Sequence, residues 1–251
     1  VTLHNYSELL KKDVRVGDWV QVRRAGDVIP EIVRVDLVLT KERGSRPEVP
    51  SNCPSCDRAL VMEQDNVVLR CSGGHACRAQ LVAAIWHFAS RKAVLIDGLG
   101  RRVIEMLVMG GFVDSCVDLY TLRHEVLCGL PRMGVKSAQN LLDSIEKSKG
   151  SVWSRVLYGL GIREVGSKTA QILAERYPTW RDLAGADPED LAEVDSIGPV
   201  VAGFIHVYFQ DEKNRELLEA LSRHGVIAEE SEAVVKTGVL SGQSYVVFLW
   251  S

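Results

Sequence analysis

Between Val14 and Leu39 the chain alternates apolar and polar residues in two short β-branched runs, Trp19-Val20-Gln21-Val22 and Ile32-Val33-Arg34-Val35, on either side of a Gly26-Asp27 turn. A period of two turns one side of a strand inward, so the pattern predicts strands of a small barrel or sheet. Lys41 to Asn52 is polar and holds Pro47 and Pro50, which reads as a linker. Cysteines then dominate as far as Cys77. From Ala79 onward the apolar spacing becomes helical, broken by short glycine-containing turns. Ser151, Ser167 and Asp187 are N-cap candidates, the last followed by Pro188 at the first helical position. The expectation is a multidomain, mainly α chain with a β part at 1–45, a cysteine-rich part at 46–78, a helical part at 79–228 and a short end at 229–251.

The helical part repeats itself. Ile96-Asp-Gly-Leu-Gly100, Leu130-Pro-Arg-Met-Gly134, Ile162-Arg-Glu-Val-Gly166 and Val194-Asp-Ser-Ile-Gly198 align on their last glycine, at spacings of 34, 32 and 32 residues. Each has an apolar residue before that glycine and a small or β-branched one shortly after it. Two helices joined by such a turn form a helix-hairpin-helix unit, whose turn amides and second-helix N-terminus face outward. That combination suits a phosphate: the glycine allows close backbone approach and positive φ, and the helix dipole favours an anion without reading a base. Arg101 and Arg102, Arg132 and Lys136, and Arg163 and Lys168 flank the first three turns, each able to neutralise a phosphate. The fourth turn has Asp195 and no adjacent cation, so a scaffold role fits it equally well. One glycine turn between helices is a common connection with no ligand; four in register, three of them cationic, point to DNA binding at Gly100, Gly134, Gly166 and Gly198. Pairs of such units fit the minor-groove side of a duplex. Arg91, Lys92, Lys147 and Lys149 read as ordinary solvated positions.

Cys53-Pro-Ser-Cys56, Cys71 and Cys77 give the spacing C-x2-C-x14-C-x5-C, near the four-thiolate pattern of structural zinc. Four protein ligands leave no open coordination position, which excludes metal-activated hydrolysis at this site. The stretch is too small for a core, so the metal would supply most of its folding free energy. His75, lying between the last two cysteines, stays open as a replacement ligand. Cys116 and Cys128 sit in apolar helical sequence and read as core residues.

Composition refines this picture. The 251 residues are 46% hydrophobic, enough to bury cores in two to four small domains. Net charge is −3, but it is uneven: residues 78–176 carry 14 basic and 9 acidic side chains, and 177–251 carry 5 and 13. A basic middle is compatible with a polyanion despite the overall sign. No apolar run is long enough to span a membrane and residues 1–10 lack signal-peptide regions, so the chain reads as cytoplasmic with reduced thiols.

Arg23-Arg24-Ala-Gly-Asp-Val28-Ile29-Pro30 places two cations and two apolar residues around one turn. It is either a plain hairpin with surface arginines or a minor-groove contact in which arginine meets phosphate and Val28 and Ile29 meet sugar.

Val1-Thr-Leu-His-Asn5, Val16-Gly-Asp18 and Arg23 to Pro30 resemble the second half of the OB domain of bacterial NAD-dependent DNA ligases. The cysteine spacing with the exit Cys77-Arg-Ala-Gln80 resembles that family's zinc finger, and Ile96 to Gly100 and Met133-Gly-Val-Lys-Ser-Ala-Gln139 its helix-hairpin-helix domain. The likeness runs through residues 1–228 in unbroken order. It implies a partial OB-type barrel, a four-cysteine zinc finger and a helix-hairpin-helix array, belonging to a modular enzyme that seals a 3′-hydroxyl to a 5′-phosphate in nicked duplex DNA during replication and repair. It further implies that Arg24, Val28 and Ile29 contact DNA near the nick, that Cys53, Cys56, Cys71 and Cys77 hold zinc, and that the hairpins encircle the duplex. NAD and Mg would serve the complete enzyme and not this segment. The family's Lys-x-Asp-Gly nucleophile motif is absent, so no catalytic residue is assigned and the chain alone is not expected to ligate. Leu240-Ser-Gly-Gln-Ser-Tyr-Val-Val247 resembles the opening of a BRCT domain that stops at Phe248-Leu249-Trp250. The resulting reading is a monomeric, DNA-clamping part of a ligase. The rivals are a non-enzymatic binder of nicked, damaged or branched duplex and a zinc-stabilised protein scaffold.

Overall fold

A computed structural model describes residues 1–3, 5–25, 29–62 and 68–228. The Gly26-Asp27 turn, Val28 and the BRCT-like segment lie outside these. The chain divides into two units, Val1–Val82 and Ala83–Ser251.

In the first unit, α1 (Tyr6–Lys11) starts where Asn5 accepts a hydrogen bond from the Glu8 amide at 2.9 Å. Strands β1 (Val20–Ala25) and β2 (Ile29–Val35) pair antiparallel, with Val20 opposite Val35, Ala25 opposite Ile29, and a bulge at Gln21/Val22. Thr2 bridges to Glu31 in parallel. Of the described strand residues only Ile32 is fully buried, so hydrophobic burial holds this ribbon weakly. An ion-pair cluster supplements it. Arg43 donates from Nε to Asp18 Oδ1 at 2.7 Å and from Nη2 to Oδ2 at 3.0 Å, while Asp13 receives Arg15, Arg43 and Arg46. The Gly44 amide also donates to the Val16 carbonyl at 2.8 Å. The stretch expected to be a linker is therefore tied down, because arginine in it forms a two-pronged pair with a carboxylate that has no exposed surface.

The finger follows, with β3 (Leu60–Met62) antiparallel to β4 (Leu69–Cys71). Helix α2 (Arg78–Phe88) leaves it directly after Cys77.

The second unit is helical: α3 (Arg101–Met109), α4 (His124–Cys128), α5 (Val135–Lys147), α6 (Trp153–Gly159), α7 (Ser167–Arg176), α8 (Trp180–Ala184), α9 (Pro188–Ala192), α10 (Pro199–Gln210) and α11 (Glu212–Arg223). Each longer helix buries a stripe at three- and four-residue spacing, as Ile104, Leu107 and Val108 do in α3 and Ala138, Leu141 and Ile145 in α5. Phe88, Trp153, Leu157, Leu173, Leu191, Ile205, Phe209 and Leu218 share one core. Both buried indoles are satisfied: Trp153 donates to the Tyr177 carbonyl and Trp180 to Ser222 Oγ, each at 3.2 Å. Thr179 and Asp182 form a capping box on α8. After α11 the chain returns to pair with the start of the α6–α11 segment, where Gly150 donates to the Gly225 carbonyl at 2.7 Å, Ser151 to Val226 at 2.9 Å and Ala228 to Ser151 at 3.0 Å.

Two of the three expected caps fall elsewhere. Ser151 is used in that terminal pairing and α6 begins after Val152; Ser167 is the first residue of α7, with Gly166 as its cap. Asp187 does cap α9 in position, with Pro188 first, but its side chain accepts no capping hydrogen bond.

Candidate nucleic-acid interface and metal centre

The four sulfurs of Cys53, Cys56, Cys71 and Cys77 lie within 4.8 Å of one another, with Cys56 and Cys71 Sγ at 3.4 Å. A tetrahedron of sulfurs about 2.3 Å from zinc has edges of about 3.8 Å, so the thiols fit such an ion. His75 is exposed and outside the cluster, which removes it as an alternative ligand. The first knuckle is shaped by hydrogen bonds from the Asp57 amide to the Cys53 carbonyl (2.9 Å) and from the Cys53 amide to the Arg58 carbonyl (2.8 Å). Backbone amides also point at sulfur, Ser55 N–H at Cys53 and Gly73 N–H at Cys71. The Gln80 amide, at the start of α2, pulls the Cys77 thiol down to about 6, and the Ser55 amide lowers Cys53. Both favour the thiolate that a metal requires, while Cys56 is pushed up to about 12 by burial and by the neighbouring thiols that share its proton. Gly73 closes the cage: a Cβ there would lie 3.0 Å from Cys77 Cβ, 3.1 Å from Cys71 Sγ and 3.2 Å from Cys56 Sγ. Cys116 is apart from this site, packed against the helical core with its thiol pushed up to about 12 by burial. Cys128, half-buried on α4, has its sulfur 3.6 Å from His124 Nδ1.

The four aligned glycines all prove to be helix N-caps. Gly100, Gly134, Gly166 and Gly198 precede α3, α5, α7 and α10 in extended conformation, with φ from −73° to −90° and ψ from 159° to 172°. Positive φ, expected at these glycines, occurs two residues earlier, at Gly98 (82°), Arg132 (65°), Glu164 (61°) and Ser196 (64°). Each turn is closed by the same pair of backbone bonds. The residue before the glycine donates to the apolar residue three positions back (Met133 to Leu130 at 3.1 Å, Val165 to Ile162 at 3.1 Å), and the residue four after it donates to the glycine carbonyl (Ala138 to Gly134 at 2.9 Å, Ala170 to Gly166 at 2.8 Å). Ile104, Ala138, Ala170 and Ala202 at that last position are fully buried, which explains the small or β-branched residue in the repeat.

The glycines themselves satisfy no need of the protein. Their φ is open to any residue, and an added Cβ at any of the four would have nothing within 4 Å. None of the four helices has a side-chain cap or an acidic residue in its first turn, whereas α8, α9 and α11 all carry acids there. The second helical position is instead basic in three: Arg102, Lys136 and Lys168, all exposed. A cation at a helix N-terminus opposes the macrodipole by about 0.3–1 kcal/mol, so the arrangement is suited to an external anion. Arg132 is exposed beside Gly134. Arg101 is engaged with Glu105 (3.2 Å), which leaves Arg102 as the equivalent of Lys136 and Lys168; only alignment on the helix start makes that choice. The Arg163 guanidinium lies 4.5 Å above the Phe204 ring, with Nε 4.0 Å from Glu164. In the fourth hairpin Pro199 removes an amide and Val200 takes the basic position. In the first unit Arg24 and Ile29 are exposed, and Arg23 pairs with Glu31 at 2.6 Å.

A four-thiolate finger and an array of hairpins with anion-ready helix N-termini define a modular protein of the nucleic-acid-binding class. Comparison with known proteins narrows this. Residues 1–44 match the NAD-dependent DNA ligase OB-fold domain, 52–79 the NAD-dependent DNA ligase C4 zinc finger domain, and 155–218 the helix-hairpin-helix motif. The chain is 46% identical over 233 residues to a DNA ligase of Legionella pneumophila (93% of this chain, 35% of the relative) and 47% over 249 residues to one of Hahella chejuensis (98% and 36%). With a DNA ligase of Coxiella burnetii the identity is 45% over 246 residues, again 98% of this chain and 36% of the relative. Nearly the whole chain is thus similar to a part of these DNA ligases, with two segments matching domains of the NAD-dependent kind, and it spans about a third of the length of the curated relatives it matches. No described helix is long and apolar enough to cross a membrane.

Proposed function

We propose that this chain is the DNA-gripping part of an NAD-dependent DNA ligase. Residues 1–45 would serve as the OB part, 46–78 as a zinc finger held by Cys53, Cys56, Cys71 and Cys77, and 79–228 as the hairpin array. Acting as a monomer, it would hold nicked duplex by its phosphates while nucleotide transfer with NAD and Mg takes place on another part of the complete enzyme. Gly100, Gly134 and Gly166 admit phosphate oxygens to the helix N-termini, with Arg101, Arg102, Arg132, Lys136, Arg163 and Lys168 supplying charge. Arg23, Arg24 and Ile29 would face DNA from the OB part, together with Val28, which lies outside the described residues. The observation that carries this reading is the set of N-cap glycines whose Cβ positions are empty of protein. Gly198, lacking both a neighbouring cation and the amide of residue 199, contributes least.

Binding of the zinc-loaded chain to nicked and intact duplexes of several sequences, measured across a salt series, tests this. The expected result is indifference to base sequence and a linear fall of log K with log salt, with a slope of about −0.9 for each phosphate neutralised. Absence of binding at about 50 mM salt by a chain with intact helices overturns it, since phosphate-dominated binding is strongest there.

A further inference from the structure

Val135 opens α5 directly after Gly134, and Val200 is the second residue of α10 after Gly198; each keeps 69% of its surface exposed. Neither fills the core, and both stand at helix N-termini that are open to an anion. We propose that Val135 and Val200 are further DNA-contacting residues, packing against the apolar C–H edge of the deoxyribose beside a bound phosphate. The inference rests on the DNA-gripping reading above, and it gives the fourth hairpin, which has no cation beside its glycine, a contact of its own.

The register of the repeat carries it. The first two helical positions read Arg-Arg after Gly100, Val-Lys after Gly134, Ser-Lys after Gly166 and Pro-Val after Gly198, all of them exposed. The chain has 33 acidic residues, and none falls at these positions. The side chains around the four caps are cationic, apolar or neutral, which suits a sugar–phosphate backbone on both its charged and its uncharged surfaces. Where the second and third hairpins have Lys136 and Lys168 the fourth has Val200, so a charge contact is exchanged for an apolar one and not for a repulsive one. The backbone beneath both valines is fixed. The Ala138 amide donates to the Gly134 carbonyl at 2.9 Å, the Ala202 amide to the Gly198 carbonyl at 3.0 Å, and His124 Nε2 to the Val135 carbonyl at 3.3 Å. A β-branched side chain is already stiff, so seating it costs little rotamer freedom, and covering its methyls is favourable in proportion to the area removed from water. The sugar is the nearest apolar surface to a phosphate on the same strand. Every base sequence offers it alike, so the contact adds affinity without reading sequence.

The test compares Val135→Ala, Val200→Ala and Val207→Ala in the full zinc-loaded chain, measuring duplex affinity and its salt slope. Alanine removes methyl groups without adding a polar atom. Val207 lies further along α10 and is equally exposed, at 69%, so it reports what an exposed valine away from the helix start contributes. Val135→Ala and Val200→Ala should each weaken binding about 3- to 10-fold. The salt slope should not change, because an apolar contact releases no counterions, and Val207→Ala should bind like wild type. Wild-type affinity in both of the first two variants, an equal loss in Val207→Ala, or a loss accompanied by a shallower slope would overturn the proposal. Lys136→Ala reads the DNA-gripping assignment separately: if it weakens binding while the valine variants do not, the role of the valines alone fails, and if no variant affects binding, the DNA-gripping assignment fails with it.

Discussion

Replacing Gly134 or Gly166 with alanine separates what the protein needs from what its ligand needs. At Gly134 φ is −83° and an added methyl meets nothing within 4 Å, so the folded state tolerates it. Alanine is a poorer N-cap than glycine by about 0.5–1 kcal/mol, and it stiffens the unfolded chain by about 0.4–1 kcal/mol. The two terms nearly cancel, leaving stability within about 0.5 kcal/mol of wild type. Binding is another matter. A methyl at the mouth of the helix N-terminus would hold a phosphate away from the amides, and hydrogen bonds to a charged group contribute about 1.5–3 kcal/mol, which corresponds to about 10- to 100-fold in affinity. Thermal unfolding and fluorescence anisotropy at one fixed salt concentration read the two quantities. Gly159→Ala is the control, since a methyl there would lie 3.1 Å from Phe88 Cδ2 and 3.2 Å from Ala93 Cβ; it should lower the melting temperature instead. If Gly134→Ala and Gly166→Ala bind like wild type, the glycines serve the hairpin and not a ligand, and the argument from empty space is wrong.

Gly73→Ala and Cys77→Ser should each release zinc, read as loss of the one bound ion by metal analysis and as protease sensitivity confined to residues around 52–79, with the helical unit unaffected. Lys136→Ala should weaken binding to all duplex sequences alike and make the salt slope shallower by about 1; a change that depends on base sequence would contradict a phosphate contact. Asp18 is held below its usual 3.8, chiefly by the hydrogen bond from Arg43, so the stability it contributes is present above that value and is lost as pH falls through the lower folded-state value. Asp18→Asn should therefore be less stable than wild type at pH 7 and indistinguishable from it at the acid end of a melting series; a constant difference down to pH 2 would show that the carboxylate charge is not what matters.

Much of this was legible because the signals were periodic. The cysteine spacing picked out the four thiols that the structure brings together, and both strands include the β-branched runs, although only Ile32 is buried and its neighbours Val33 and Arg34 are both exposed, so the alternation did not set the faces. The hairpin register was visible in the apolar-x-x-apolar-Gly pattern because each of those residues closes a turn or fills the core. What failed was the role of the glycine. Sequence reasoning assigned it the positive φ, which in fact falls on Arg132, Glu164 and Ser196, residues with no propensity for it; the surrounding turn imposes a conformation that their side chains do not announce. Cap assignment failed for the same reason, because serine at 151 or 167 looks like a better cap than glycine until a helix start without any side-chain cap is seen to be the recurring feature. The linker at 41–52 forms no helix or strand through residue 50, as its composition implied, but the arginine in it that reaches back 25 residues to Asp18 leaves no local trace.

The pairing of Gly150 and Ser151 with Gly225 to Ala228 brings the entrance and exit of the α6–α11 segment side by side. Mechanically this is a clasp. Tension applied through the chain on either side of the segment falls first on three short backbone bonds and not on the two hairpins enclosed between them. A load on the chain at either end of the segment would then leave those hairpins folded and in register until the clasp slips.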